Sequence, residues 1–349
     1  MRHPILFCLL VAFGLEGALR LRQYLKYGTT STSFYEFEVH AASGLRIPKP
    51  SSEVGPIRIN SLGFRGPEVE MPKPDGCIRV AFLGGSTTFC AEASALEQTW
   101  PHLVIDELSR RYPDSSFDYV NGGSGGFATQ HSTTSFDHRV APLAPDVVVI
   151  YHGTNDLTLD SRALASERGI YDPNVMESTG AGSVSLAWFL IQKNLRFHRN
   201  ASSDDRPKLE FDPRELSRDY RERLLELVAK ARAQAPVVVL VTFSHRVRAE
   251  QSPEEQLQAS AMSRYYMPFM DVEGLLAGFE EYNRVVREVA QETGVLLVEG
   301  ERSIPGDAVH FADSVHLTDA GSALQARRVI EALAADGAFR DLVESPARE

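Results

Sequence analysis

The amino-acid pattern predicts a three-layer α/β/α fold on a doubly wound parallel sheet of about five strands. Three observations predict it. Short, mainly apolar runs recur at Ile78–Leu83, Asp146–Tyr151 and Val237–Thr242, the pattern of strands buried on both faces. Stretches with helical spacing separate these runs, so strands and helices alternate as in βαβ units. Successive runs end in small, glycine-rich, polar segments, the composition of ligand-binding loops outside the carboxyl ends of an open sheet.

The first strand, Ile78–Leu83, stops at Gly84-Gly85. Trp100, Leu103, Val104 and Leu108 then give Thr99–Tyr112 a helical stripe. Phe117–Val120 reads as a second strand that stops at Asn121-Gly122-Gly123, and Asp146–Tyr151 as a third that stops at Gly153. An amphipathic helix is expected over Leu216–Ala235, before the fourth strand at Val237–Thr242. A helix over Val272–Thr293 ends at Gly294, a natural left-handed stop, and a fifth strand follows at Val295–Val298. Ala320–Ala335 closes the domain as a helix with Leu324, Ala326, Val329, Ile330 and Leu333 on its apolar face.

Three segments are expected: an N-terminal stretch over 1–26, an extended linker that wraps or approaches the domain over 27–76, and the α/β domain over 77–340. Insertions over about 157–212 and 246–271 follow strand ends, where loops often shape a substrate site. In the N-terminal stretch, Met1-Arg2-His3 precedes an apolar run from Pro4 to Leu15, with Arg20, Arg22 and Lys26 beyond. This reads as a signal anchor or signal peptide, and implies a membrane-anchored or exported chain with its main domain outside the cytoplasm. The apolar run is short for a span, which needs about 20 residues.

A net charge of −11 argues against nucleic acid, which demands concentrated Lys and Arg. Cys8, Cys77 and Cys90 are too few for a disulfide scaffold and read as buried free thiols, with pairing of Cys77 and Cys90, which flank the first strand, left open. No His/Cys/carboxylate cluster has zinc-site spacing, so neither metal nor cofactor is expected.

The strand ends carry the chemistry. Gly84-Gly85-Ser86-Thr87 follows the first strand, Asn121-Gly122-Gly123-Ser124-Gly125-Gly126 the second, and Gly153-Thr154-Asn155-Asp156 the third; Asp313-Ser-Val-His316 lies near the C-terminus. Acyl transfer by serine needs a nucleophile, a base, an orienting carboxylate and an oxyanion hole. Ser86 on its glycine turn suits the first role, His316 the second and Asp313 the third. Backbone N–H groups of Ser86 and Gly126, with the Asn155 side-chain amide, suit the fourth. His310 competes with His316 as the base. His152, His245 and Arg65 are further candidates for substrate contact. Arg65 lies in Asn60-Ser-Leu-Gly63-Phe64-Arg65-Gly66, which reads as a turn.

These four blocks, in this order, resemble the signature blocks of the SGNH/GDSL hydrolase superfamily. The resemblance spans about 78–335. It implies a flavodoxin-like fold, ester hydrolysis, and roles for Ser86, Gly126, Asn155 and His316, with Asp313 as triad aspartate. The family's first block usually reads Gly-Asp-Ser, whereas Gly85 stands here. The Gly-Gly-Ser-Thr-Thr form, with Asn60–Gly66, resembles a bacterial, N-terminally anchored branch. The expected substrate is therefore a small-molecule, glycan or lipid ester, of the cell envelope for an exported chain. O-acyltransfer through the same residues, and a non-catalytic glycan- or nucleotide-binding role, stand as alternatives. Against nucleotide binding, the first loop lacks the Walker lysine. Oligomeric state is not legible.

Overall fold

The computed structural model describes residues 3–27, 35–172, 185–202 and 207–344. Helix α1 (His3–Tyr27) precedes two antiparallel hairpins, β1 (Phe37–Val39) with β2 (Arg46–Pro48) and β3 (Glu53–Val54) with β4 (Ile57–Arg58). The alternating part runs β5 (Cys77–Gly84), α2 (Ser86–Phe89), α3 (Trp100–Arg111), β6 (Ser116–Asn121), α4 (Thr129–Ser135), β7 (Val147–Tyr151) and α5 (Thr154–Glu167). It continues through α6 (Leu186–Ser202), α7 (Pro213–Leu216), α8 (Arg218–Arg232) and β8 (Val237–Val241). Helices α9 (Pro253–Ala259), α10 (Ala261–Tyr266) and α11 (Val272–Thr293) lead to β9 (Leu296–Val298), α12 (Asp319–Ala335) and α13 (Gly337–Glu344).

The sheet is wholly parallel, in the order β6-β5-β7-β8-β9. Every residue of β5, β7 and β8 is buried, which is why these strands are apolar without alternation, except at Arg79, whose guanidinium pairs with Asp118. Burial of each Val, Leu or Ile contributes about 1.5–3 kcal/mol. Helices pack over the sheet in two groups, α3 with α12 and α8 with α4 and α11. The three-layer α/β/α expectation therefore holds.

The chain leaves β5 toward β6 at one edge, then returns to place β7 on the other side of β5. That reversal opens a crevice beyond the carboxyl ends of β5 and β7, where the first and third sequence blocks meet.

Several boundaries differ from the sequence expectation. The helix expected over Leu216–Ala235 is two helices, α7 and α8, joined at Ser217, and it stops at Arg232. The segment expected to be a linker contains both hairpins and packs Tyr35, Ile57 and Ile59 against Phe89 of α2. Cys77 and Cys90 are buried free thiols.

Among the described residues, no helix is long and apolar enough to cross a membrane, so the spanning anchor expected from the sequence is not shown. Glu16 interrupts the apolar run of α1. Its carboxylate accepts hydrogen bonds from Leu186 N (2.8 Å), Ala187 N (2.9 Å) and Ser185 Oγ (2.9 Å), and from Arg20 Nε at 2.6 Å. It thereby caps α6, since the first backbone N–H groups of a helix lack internal acceptors.

Candidate active site

Ser86 is the first residue of α2, immediately after β5. The helix ends at Cys90, whose left-handed backbone (φ 59°) returns an N–H to Ser86 O at 2.8 Å. Arg65 clamps this far end. It is wholly buried and its Nη1 donates to Phe89 O at 2.9 Å and to Cys90 O. A cation there complements the negative end of the short helix. Burial lowers the pKa of Arg65, with opposing help from neighbouring groups. Arg65, expected as a substrate contact, is thus buried at the far end of α2 and is not among the residues that line the cavity around Ser86.

His316 reaches Ser86 from 230 residues away: Nε2 lies 2.7 Å from Ser86 Oγ. Its Nδ1 lies 2.7 Å from Asp313 Oδ2, while Asp313 Oδ1 accepts the backbone N–H groups of Val315 (2.9 Å) and His316 (3.0 Å). One carboxylate therefore fixes both the loop and the ring. The next residues start α12, capped by Thr318 Oγ1. Burial opposes ionisation of Asp313, but the bonds from His316 and the backbone hold its carboxyl below the usual range. Burial likewise opposes charge on His316, but Glu92 and Asp313 push its pKa up to about 9.

Glu92 was not legible as a site residue. Its Oε1 lies 3.9 Å from His316 Nδ1. The loop that carries it is tied to the start of α12 by Ser94, whose N and Oγ donate to Asp319 at 2.9 and 2.5 Å. Desolvation raises the Glu92 pKa, against the attraction of His316.

Asn155 begins α5 beside Ser86. Its Nδ2 donates to Phe127 O at 2.9 Å, which orients the amide and leaves its second N–H free for another acceptor. A Cβ at position 85 would stand 2.4 Å from that Nδ2 and 3.0 Å from Phe127 O. Gly85, at the family's usual aspartate position, therefore lets the first and third blocks close on each other. Gly126 has φ +80°, and a Cβ there would meet nothing within 4 Å, so its backbone borders open space.

Ser86, Gly126, Asn155 and His316 share a cavity of about 500 Å³. Its walls come from elements far apart in sequence: Tyr35 and Phe37 from the N-terminal segment, Leu159 and Arg162 from α5, and Met262 and Tyr266 from α10. Both expected insertions thus contribute to it. In the aromatic stretch Tyr265–Met270, Tyr266 and Met267 line the cavity, while Phe269 and Met270 are core.

Three of the candidate histidines lie elsewhere. His310 Nδ1 pairs with Asp307 Oδ1 at 2.8 Å. His245 is buried, stacks on Phe279 with centroids 4.3 Å apart, and burial lowers its pKa to about 3. His152 is buried against Ser132 Oγ at 2.8 Å, and burial, with His131 and Arg223, lowers its pKa to about 3. Beside it, Asp156 accepts both N–H and O–H of Thr129 at 3.1 Å, bracing α4 against α5. Burial raises the Asp156 pKa to about 7, against the pull of Arg223 and Thr129. Among the described residues, no group of His, Cys, Asp and Glu is arranged to hold a metal ion.

Among solved structures, the chain resembles Axe2, an acetylxylan esterase from Geobacillus stearothermophilus, at 19% identity over 77% of this chain and 97% of that one, with TM-score 0.45. It also resembles LAE5, an alpha/beta hydrolase enzyme from the metagenome of Lake Arreo, Spain, at 19% identity over 73% and 94%, with TM-score 0.44. No curated protein matches the chain. Residues 82–324, from the end of β5 into α12, match the GDSL-like Lipase/Acylhydrolase family. With all four sequence blocks inside that match or at its edge, the chain belongs to this family of ester hydrolases.

Proposed function

We propose that the protein hydrolyses a carboxylic ester through an acyl-enzyme on Ser86. The observation that carries this reading is the unbroken run of contacts from Ser86 Oγ through His316 to Asp313, each at 2.7 Å. In the proposed mechanism, Ser86 Oγ attacks the carbonyl carbon while His316 Nε2 takes its proton. Asp313 stabilises the imidazolium so formed. The N–H groups of Ser86 and Gly126 and the Asn155 amide hold the oxyanion. His316 returns the proton to the leaving alkoxide. Water then repeats the sequence on the acyl-enzyme, releasing the acid and restoring Ser86.

The basic and apolar N-terminal stretch supports export, and an exported enzyme meets envelope glycans and lipids as substrates. The test of the mechanism is intact-mass labelling of the full chain with a fluorophosphonate probe. One label per wild-type chain is expected, and none on Ser86→Ala. His316→Ala is expected to slow labelling by several orders of magnitude. A folded wild type that stays unlabelled, and turns over no acyl ester, would refute the reading.

A further inference from the structure

One face of α5 runs along the cavity: Asn155, Thr158, Leu159 and Arg162 all line it. Arg162 follows Asn155 by seven positions, about two turns of helix, so the two side chains share a face about 10 Å apart along the axis. Leu159, Met262 and Met267 give the stretch between them an apolar wall.

Arg162 is held in place. Its Nε and Nη2 both donate to Tyr266 O, at 3.1 and 2.9 Å, and its guanidinium carbon lies 5.6 and 5.9 Å from the ring centres of Tyr171 and Tyr266. Among the described residues no carboxylate lies within 4.0 Å of it, in contrast to Arg223, Arg284 and Arg287, each paired with a carboxylate. Two of its five N–H donors are engaged. A guanidinium beside apolar walls, with donors left over, favours an anionic acceptor, and its planar fork suits a carboxylate. Glu92 stands at the His316 end, so a negative group is repelled there and attracted at Arg162.

We propose that Arg162 is a specificity-determining residue that selects esters carrying a carboxylate about 10 Å from the scissile carbonyl, beyond an apolar stem. The proposal rests on the ester-hydrolase reading. The carboxylate belongs either to the acyl chain or to the alcohol, and two matched pairs distinguish these. On the acyl side, p-nitrophenyl hydrogen suberate is compared with p-nitrophenyl octanoate. On the alcohol side, the acetate ester of ω-hydroxyoctanoate is compared with octyl acetate.

In at least one pair the wild-type enzyme is expected to favour the anionic member in kcat/KM by about tenfold or more. The ratio should fall toward one in Arg162→Gln and be partly kept in Arg162→Lys. Because both members of a pair are read on the same variant, a folding defect leaves the ratio unmoved. Ratios near one in both pairs, or a preference that Arg162→Gln keeps, would overturn the proposal while leaving ester hydrolysis standing. If no ester turns over, titration of Ser86→Ala with suberamate and with octanamide decides. Tighter binding of suberamate that vanishes when Arg162→Gln is added supports the anion site, and equal binding overturns it.

Discussion

Replacing Glu92 by glutamine is expected to change the shape of the pH–rate profile far more than the rate at neutral pH. Glu92 Oε1 stands 3.9 Å from His316 Nδ1, and the two carboxylates near this ring push its pKa up to about 9. At that separation a unit charge pair is worth about 1 kcal/mol with the permittivity of water, and about 4 kcal/mol at an effective value of 20. The side chains keep 30% and 16% of their surface exposed, so the lower part of that range applies. At about 1.4 kcal/mol per pKa unit, the amide should lower the His316 pKa by roughly 1–2 units. The sign follows from the charge: a carboxylate favours imidazolium, so its loss favours the neutral base.

In the proposed mechanism the same carboxylate also stabilises the imidazolium in the transition state. Above the pKa the resting histidine is neutral and that help is lost, so the plateau of kcat/KM should fall by about tenfold. Below the pKa the resting state and the transition state both carry imidazolium. The two losses then nearly cancel, and the rate at pH 7 should change by less than about threefold. The assay is kcat/KM for a neutral ester from pH 5 to 10, corrected with Ser86→Ala. A Glu92→Gln profile superimposable on the wild type, or a lowered plateau with an unmoved limb, would show that the Glu92 charge does not set the His316 pKa.

Two more perturbations follow from the site. Asn155→Ala removes a proposed oxyanion donor and should lower kcat by about 100- to 1000-fold with little change in KM; a loss under tenfold in steady-state kinetics would remove Asn155 from that role. Arg65→Met leaves the buried carbonyls of Phe89 and Cys90 without their donor. Urea unfolding should report a loss of about 2–4 kcal/mol, with a lowered kcat and an unaltered pH limb, and unchanged stability would show that α2 needs no clamp.

The parts legible in the sequence are those where local chemistry and tertiary role agree. β7 is Val-Val-Val-Ile-Tyr and wholly buried, so its composition alone marks a central strand. Helix α11 matches its expected bounds because Asp271 caps its start and Gly294, at φ 68°, ends it. The candidates Ser86, Asn155, Asp313 and His316, which the structure brings together, stand out in sequence because each sits in a short, ordered block. The hairpins were not, since strands of two or three residues in a Ser/Pro/Gly-rich stretch carry no periodicity. The placing of Arg65, Glu92 and Arg162 was not legible for a related reason. A lone charged residue looks solvated in sequence, and only the topology buries Arg65 under α2 or brings Glu92 and Arg162 to the cavity. His152 and His245, candidates for substrate contact, are packed in the interior, which a lone histidine in sequence does not disclose.

The 230-residue separation between Ser86 and His316 has a consequence for how the protein comes into being. Closing a loop of that length costs about 5 kcal/mol of chain entropy before any contact offsets it, and nearly the whole sheet must assemble between the two partners. On the proposed mechanism, a nascent chain that ends before His316 has its serine in place and no base to activate it. Hydrolytic competence is therefore among the final properties to arise during synthesis or refolding, which guards a growing chain against acylation. Recovery of turnover after dilution from denaturant would then trail the recovery of helical signal, and the lag would time the docking of the C-terminal segment.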